Sequence, residues 1–111
     1  MRKMIDSFRY AFTGLKMLIR SERNFKIHIL ATFMVIAAGF LLKLTTCEWI
    51  AIAFAIGFVL AAEAFNSALE KLCDVVHPAH SEGVKKVKDM AAGAVLIAAI
   101  TAVAVAALIV L

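Results

Sequence analysis

Residues Trp49–Asp74 read WIAIAFAIGFVLAAEAFNSALEKLCD, and the reading of this stretch decides the fold. Ile50 to Ala62 carry no polar side chain. Glu63, Asn66, Glu70 and Asp74 then enter without a Pro or Gly to interrupt the helical pattern. At about 100° per residue the four fall on one stripe, spread over about 80° and about 16 Å long. A charged side chain inside a membrane-spanning helix costs at least a few kcal/mol and marks function by default. The simpler reading is a polar seam that only holds helices together. An acceptor-rich row argues against it, because its carboxylates repel one another unless cations fill the stripe.

The flanking sequence is consistent with a membrane helix. Residues 49–72 form the middle span of three. Thr45 to Glu48 read as a short turn before it, and Trp49 suits the interface. The first span covers 27–44, with His28 near its start and Lys43 placed to snorkel near its end. On the other side, residues 75–88, VVHPAHSEGVKKVK, read as a loop punctuated by Pro78 and Gly83. Met90–Leu111 then has no charge and only Thr101 as a polar side chain, which is long enough to span. Ala94, Ala98, Ala102 and Ala106 give that helix a small-residue face for close contact. At the N-terminus, residues 4–20 place Ile5, Phe8, Phe12, Leu15 and Ile19 on one helical face, away from Arg9, Lys16 and Arg20. This is a basic amphipathic helix suited to lie on the membrane surface. Residues 21–26 are a polar break in which Ser21 is expected to cap the next helix.

The whole-chain numbers fit. Of 111 residues, 64% are hydrophobic and 18% charged, with mean hydropathy +0.95. That excludes disordered and collagen-like chains and an ordinary soluble domain. Residues 1–111 are read as a single all-α membrane-embedded domain, with no room for a second, soluble one. The net charge of +4 points to a basic membrane side rather than to nucleic acid. Seven of the twelve Lys and Arg precede the first span, and Lys85, Lys86 and Lys88 lie in the segment 75–89. The N-terminus and that segment are therefore expected in the cytoplasm and the C-terminus outside. The late start of the apolar run argues against a cleaved signal peptide. Cys47 and Cys73 are about one span apart, so no disulfide is expected, and the histidines add no zinc-ligand spacing.

The chemistry these residues allow is narrow. Glu22 lies at the mouth of the first span, on the side where Glu70 and Asp74 emerge. Carboxylates with open positions suit Mg²⁺, which keeps several waters and is commonly shared with substrate phosphates. Lys88-Asp89, read as the start of the third span, adds a Lys at a helix N-terminus where phosphate is favoured. The alternative there is a snorkelling Lys beside a helix cap. No G-x-x-x-x-G-K-[ST], G-x-G-x-x-G or H-R-D motif is present. His28, His77 and His80 read as interfacial or solvated, with His80 able to reach a nucleotide. Together these features suggest a metal-assisted phosphate reaction at the cytoplasmic face.

The run from Glu63 through Asn66, Ser67, Ala68, Leu69 and Glu70 to Asp74 resembles the signature of the small prokaryotic diacylglycerol and undecaprenol kinases. The resemblance extends over nearly the whole chain. It takes in Ser7-Phe8, Tyr10-Ala11, Gly14-Leu15, Glu22-Arg23-Asn24-Phe25 with His28, and Lys88-Asp89-Met90. It implies a homotrimer in the bacterial cytoplasmic membrane, each subunit with one amphipathic surface helix and three spans. Active sites would lie between subunits, with MgATP as donor and a membrane lipid alcohol as acceptor. Carried over by position, Glu63 is the general base, and Glu22 and Glu70 are metal ligands. Tyr10, Glu22, Asn66, Glu70, Asp74, Lys88 and Asp89 are nucleotide and phosphate contacts, with Lys3 and His80 as secondary ones. The chain departs from the diacylglycerol branch at His28, where that branch tends to have an acidic residue, and in its second loop.

The segment Glu22–His28 resembles the undecaprenol branch, which makes undecaprenol the expected acceptor and diacylglycerol the alternative. Phe33, Phe54 and Phe58 are candidate walls for an isoprenoid chain. Two readings from other classes compete. A small multidrug transporter uses a membrane-embedded Glu but gives no role to Glu22, Glu70, Asp74 and Lys88-Asp89 together. A structural membrane subunit would use the polar stripe only for assembly.

Overall fold

A computed structural model describes residues 1–111 as four helices. They are α1 (Arg2–Ser21), α2 (Arg23–Leu42), α3 (Thr46–Val76) and α4 (Glu82–Val110). The last three are each long and apolar enough to cross a membrane. α3 packs along α4, α2 lies against α3, and α1 meets the start of α2. The radius of gyration is 16.6 Å, against about 13 Å for a globular domain of this length. The outline, 49 × 41 × 22 Å, is a slab rather than a ball.

The break between α1 and α2 is shorter than the polar run 21–26 suggests. Glu22 alone is extended, at φ −101° and ψ 111°. Ser21 does not cap α2. It ends α1, where its hydroxyl donates to the Met17 carbonyl. Arg23 to Lys26 are helical, and Phe25 is buried as the first anchor of α2.

α2 ends in a Schellman turn. Lys43 sits in the left-handed region at φ 55°, a position Gly or Asn usually takes. Leu44 N–H donates to the Gly39 carbonyl and Lys43 N–H to that of Phe40. The turn into α3 is also tighter than Thr45–Glu48. Thr45 caps α3, its hydroxyl accepting from Glu48 N–H while the Glu48 carboxylate accepts from Thr45 N–H. This capping box satisfies two otherwise free helix-end donors. Trp49 folds back over Gly39 and stacks at a tilt on Phe40, with centroids 5.0 Å apart.

The largest departure from the sequence reading lies between α3 and α4. Only residues 77–81 connect them, and Ser81 caps α4 by accepting from Val84 N–H. Gly83 falls in the first turn of α4, whose amides lack intrahelical partners anyway, so it does not break the helix. Lys88 and Asp89 are consequently well inside α4. The expected helix N-terminus at these two residues is not there.

One face of α3 holds the fold together. Ile52, Ala55 and Val59 are buried on it, and the same face continues into buried Glu63, Asn66 and Ser67. α4 answers with Ala91 and the fully buried Ala98, whose small side chains let the two backbones approach. Ala98, with the half-buried Ala102 and Ala106, follows the expected small-residue face, whereas Ala94 is exposed and Ala91 takes its place.

At Gly39 an added Cβ would lie 2.5 Å from the Trp49 ring and 3.1 Å from Leu44. A rigid indole cannot yield cheaply, so Gly39→Ala should lower stability by about 1–3 kcal/mol. Gly57→Ala, where the new methyl meets nothing within 4 Å, should be neutral or slightly stabilising through helix propensity. Unfolding in detergent followed by circular dichroism distinguishes the two; equal behaviour would refute the packing role of Gly39.

Candidate active site

The polar half of the α3 face forms the candidate site, where Glu63, Asn66 and Asp74 each meet a different side chain. Glu63 is only 3% exposed. Its Oε2 lies 3.3 Å from Nε2 of His28, which reaches across from α2. His28 is therefore not a free interfacial side chain: it is half-buried and faces a carboxylate.

One turn along α3, Asn66 Nδ2 donates to Glu70 Oε1 at 3.3 Å. Asn66 Oδ1 is buried and accepts nothing within the chain. A buried acceptor of this kind is costly unless a further group supplies a donor or a positive charge. Ser67, also buried, lies on the same face.

Beside the stripe on α3, Lys71 Nζ lies 3.6 Å from Glu22 Oε1. The contact ties the break between α1 and α2 to α3. It depends on Glu22 being extended: as a cap without a side-chain cap bond, its carboxylate is free to point at α3. Between α1 and α3 lies a hollow of about 440 Å³ lined by Gly14, Leu18, Ser21, Glu22, Ser67 and Lys71, among others.

The Asp74 end of the stripe joins α3 to α4. Lys88 Nζ donates to Asp74 Oδ1 at 2.9 Å, and Lys85 Nζ to Asp89 Oδ2 at 2.7 Å. Asp74, His77, His80, Lys88 and Asp89 surround a polar hollow of about 280 Å³. In the short connection, His77 Nδ1 meets the Ala79 carbonyl at 2.7 Å. Four sequence candidates for nucleotide contact, Asp74, His80, Lys88 and Asp89, thus share one hollow.

Two candidates stay apart within the chain. Tyr10 is 70% exposed on α1, and Lys3 lines only a shallow hollow with its own helix neighbours. Phe33 and Phe54 point outward and, like Phe58, do not line the apolar cleft of the chain. That cleft, about 270 Å³, lies between α2, α3 and α4. It is walled by Ala31, Val35, Ile52, Val59, Ala102 and Ala106 with other small or aliphatic side chains, and has His28 at one end. Its other polar side chain, Thr32, donates to the His28 carbonyl at 2.8 Å.

No three of the His, Cys, Asp and Glu side chains converge as a metal cage. The donor set nevertheless suits a cation that arrives with a nucleotide. Such an Mg²⁺ takes one or two protein carboxylates and fills its remaining positions with water and phosphate oxygens. Glu70 and Glu22 each engage one oxygen in the contacts above, and the unpartnered Asn66 Oδ1 adds a neutral acceptor. The two cysteines are free, as expected.

Known proteins resemble the chain over most of its length. An undecaprenol kinase of Bacillus subtilis (strain 168) is 36% identical over 100 residues, covering 90% of this chain and 81% of that protein. A diacylglycerol kinase of Synechocystis sp. is 41% identical over 103 residues, covering 92% of this chain but 59% of that longer protein. The family model described as prokaryotic diacylglycerol kinase matches residues 9–110, a range that contains the whole stripe and both of its partner helices, so the chain belongs to the prokaryotic diacylglycerol kinase family.

Proposed function

We propose that this membrane lipid kinase transfers the γ-phosphate of MgATP to the hydroxyl of undecaprenol. The observation that carries the reading is the position of Glu63. It is a buried carboxylate at the point where the apolar half of the α3 face becomes polar, near the His28 end of the apolar cleft. A lipid alcohol held by its chain in the apolar part would present its hydroxyl at this boundary, and a nucleotide would approach from the polar end. Glu63 takes the hydroxyl proton as the oxygen attacks phosphorus. Holding an insoluble acceptor and a soluble donor in line supplies much of the rate.

The other residues divide between the phosphates and the metal. Glu22 and Glu70 would hold Mg²⁺, with Asn66 beside them. Bound there, the ion would neutralise charge on the phosphoryl oxygens. Asp74, Lys88, Asp89 and His80 would hold the nucleotide from the α3–α4 hollow, with Tyr10 and Lys3 closing over it from α1. Neither lines the hollow in a single chain, which supports a shared site, as does the unpartnered Asn66 Oδ1. We take the assembly to be a homotrimer in the bacterial cytoplasmic membrane, with the N-terminus and the α3–α4 connection in the cytoplasm and the C-terminus outside.

Undecaprenol is favoured over diacylglycerol by the chemistry of the cleft. Diacylglycerol brings two ester carbonyls that gain from donors, and here the Thr32 hydroxyl donates to the His28 carbonyl while His28 Nε2 faces Glu63. A polyprenol brings only hydrocarbon below its hydroxyl. Diacylglycerol remains the second reading because the Synechocystis relative that carries that name is the more identical of the two.

Purified protein given MgATP and both lipids at equal mole fraction in mixed micelles should prefer undecaprenol by kcat/KM, the quantity that measures discrimination. Preference for diacylglycerol would overturn the lipid and leave the kinase, whereas transfer to neither would overturn both. Glu63→Gln keeps the shape but cannot accept the proton, so kcat should fall about 10²–10⁴-fold with the assembly intact by size-exclusion chromatography. Near-normal turnover would remove Glu63 as the base. Asp74→Asn breaks an exposed ion pair and should hardly change thermal unfolding. If that pair positions the nucleotide, the KM for MgATP should rise severalfold, and an unchanged KM would make the pair merely structural.

A further inference from the structure

We infer that His28 is a positioning residue for Glu63, holding one carboxylate oxygen so that the other faces the acceptor hydroxyl. The inference rests on the reading of Glu63 as the proton acceptor. Three observations on α2 and α3 carry it. Glu63 is buried, with a side chain 4% exposed, and His28 is the one charged or polar side chain that meets it. The contact joins Nε2 to Oε2 at 3.3 Å. His28 also lines the apolar cleft and has a side chain 26% exposed, so it stands between cleft, carboxylate and solvent.

The proton on the ring follows from the partner. An ionised carboxylate is acceptor-only, so a ring nitrogen that faces it must be the one carrying hydrogen. His28 then presents Nε2–H to Oε2 whether or not Nδ1 is also protonated. At 3.3 Å the contact is looser than a strong charge-assisted hydrogen bond. Such bonds are often long without substrate and tighten when it binds.

The consequence is a division of labour between the two oxygens of Glu63. With Oε2 held, Oε1 is free for chemistry. The lipid O–H bond breaks and an Oε1–H bond forms, while the alcohol oxygen's electron pair makes a bond to the γ-phosphorus. The bond from phosphorus to the bridging oxygen of the nucleotide breaks, and its pair leaves with ADP. His28 keeps its proton throughout. It also offsets the cost of burying the carboxylate before substrate arrives. Thr32, donating to the His28 carbonyl, holds the backbone on which the ring turns.

A double-mutant cycle tests this on the full-length protein in micelles with MgATP and undecaprenol or diacylglycerol, whichever it phosphorylates. His28→Ala should lower kcat about 10–100-fold, the range for losing a hydrogen bond to a charged group. KM for lipid and for MgATP should change little. His28→Gln, whose amide nitrogen can occupy the place of Nε2, should recover much of the loss, while His28→Asn, too short to reach, should not. In a Glu63→Gln background His28→Ala should cost almost nothing more, because two residues acting through one group are not additive. Equal losses in both backgrounds, a loss confined to KM, or the same rate for the Gln and Asn variants would each overturn the role of His28. The Gln–Asn comparison still decides if His28→Ala does not assemble. Normal turnover of Glu63→Gln alone is a different failure: it removes the base reading first and this inference with it.

Discussion

A carboxylate buried on the packing face of a membrane helix constrains everything around it. Glu63 shares its face of α3 with Ile52, Ala55 and Val59, so the surface that must be covered to exclude lipid is also the surface that carries the charge. Turning α3 to expose the polar half to water would expose the apolar half as well. The chain resolves this by covering the face with partners suited to each half. α4 lays Ala91 and Ala98 against it, where small side chains allow close approach and no bulk is forced into the site. α2 brings His28 to Glu63, and the extended Glu22 brings its carboxylate to Lys71.

The covering is incomplete in one chain, and the residue left short is informative. Asn66 commits its amide to Glu70, which leaves Oδ1 buried with nothing to accept from. No large side chain is fully buried anywhere in the chain, and the apolar stripe of α1 has no internal core to rest on. A slab of helices in water would not hold such surfaces. In a bilayer, lipid covers the outward aromatic residues, but it cannot supply a donor to Asn66. Only a ligand, water or a second copy of the chain can, and all three belong at the polar end of the stripe.

How much of this was legible depended on whether a feature is local. The three long apolar helices and the alignment of Glu63, Asn66, Glu70 and Asp74 follow from composition and from the 3.6-residue period, and both are seen. Helix ends are less legible, because a breaker residue gives a stronger local signal than a cap. Gly83 reads as loop, whereas Ser81 and Glu82 start α4 and make Gly83 harmless in its first turn. Likewise Thr45 and Glu48 read as a turn but form a capping box. The pairings of His28 with Glu63 and of Lys71 with Glu22 had no local signal. Each joins residues far apart in the chain, and only the crossing of α2 and α3 brings them together. The helix N-terminus expected at Lys88-Asp89 is absent for the same reason as the loop at Gly83: α4 starts at Glu82, and Lys88 is a side-chain cation paired with Asp74, not part of a helix end.

That shift changes how the polar end of the site must work. A helix N-terminus binds phosphate through fixed backbone donors and needs no conformational change. On the proposed reading, a Lys already bonded to Asp74 and a Lys already bonded to Asp89 would instead exchange partners, or share them, as a polyphosphate entered the hollow. Because both pairs are exposed, the exchange sets water and salt against weak ion pairs and is energetically shallow. The opposite holds at Glu63, where burial makes any loss of the partner expensive. In the proposed mechanism the stripe is therefore rigid where a proton would be placed to within a fraction of an ångström. It is yielding where a large, charged donor would come and go each turnover. The gradient between the two runs along a single helix face, from the deeply buried Glu63 to the exposed Asp74.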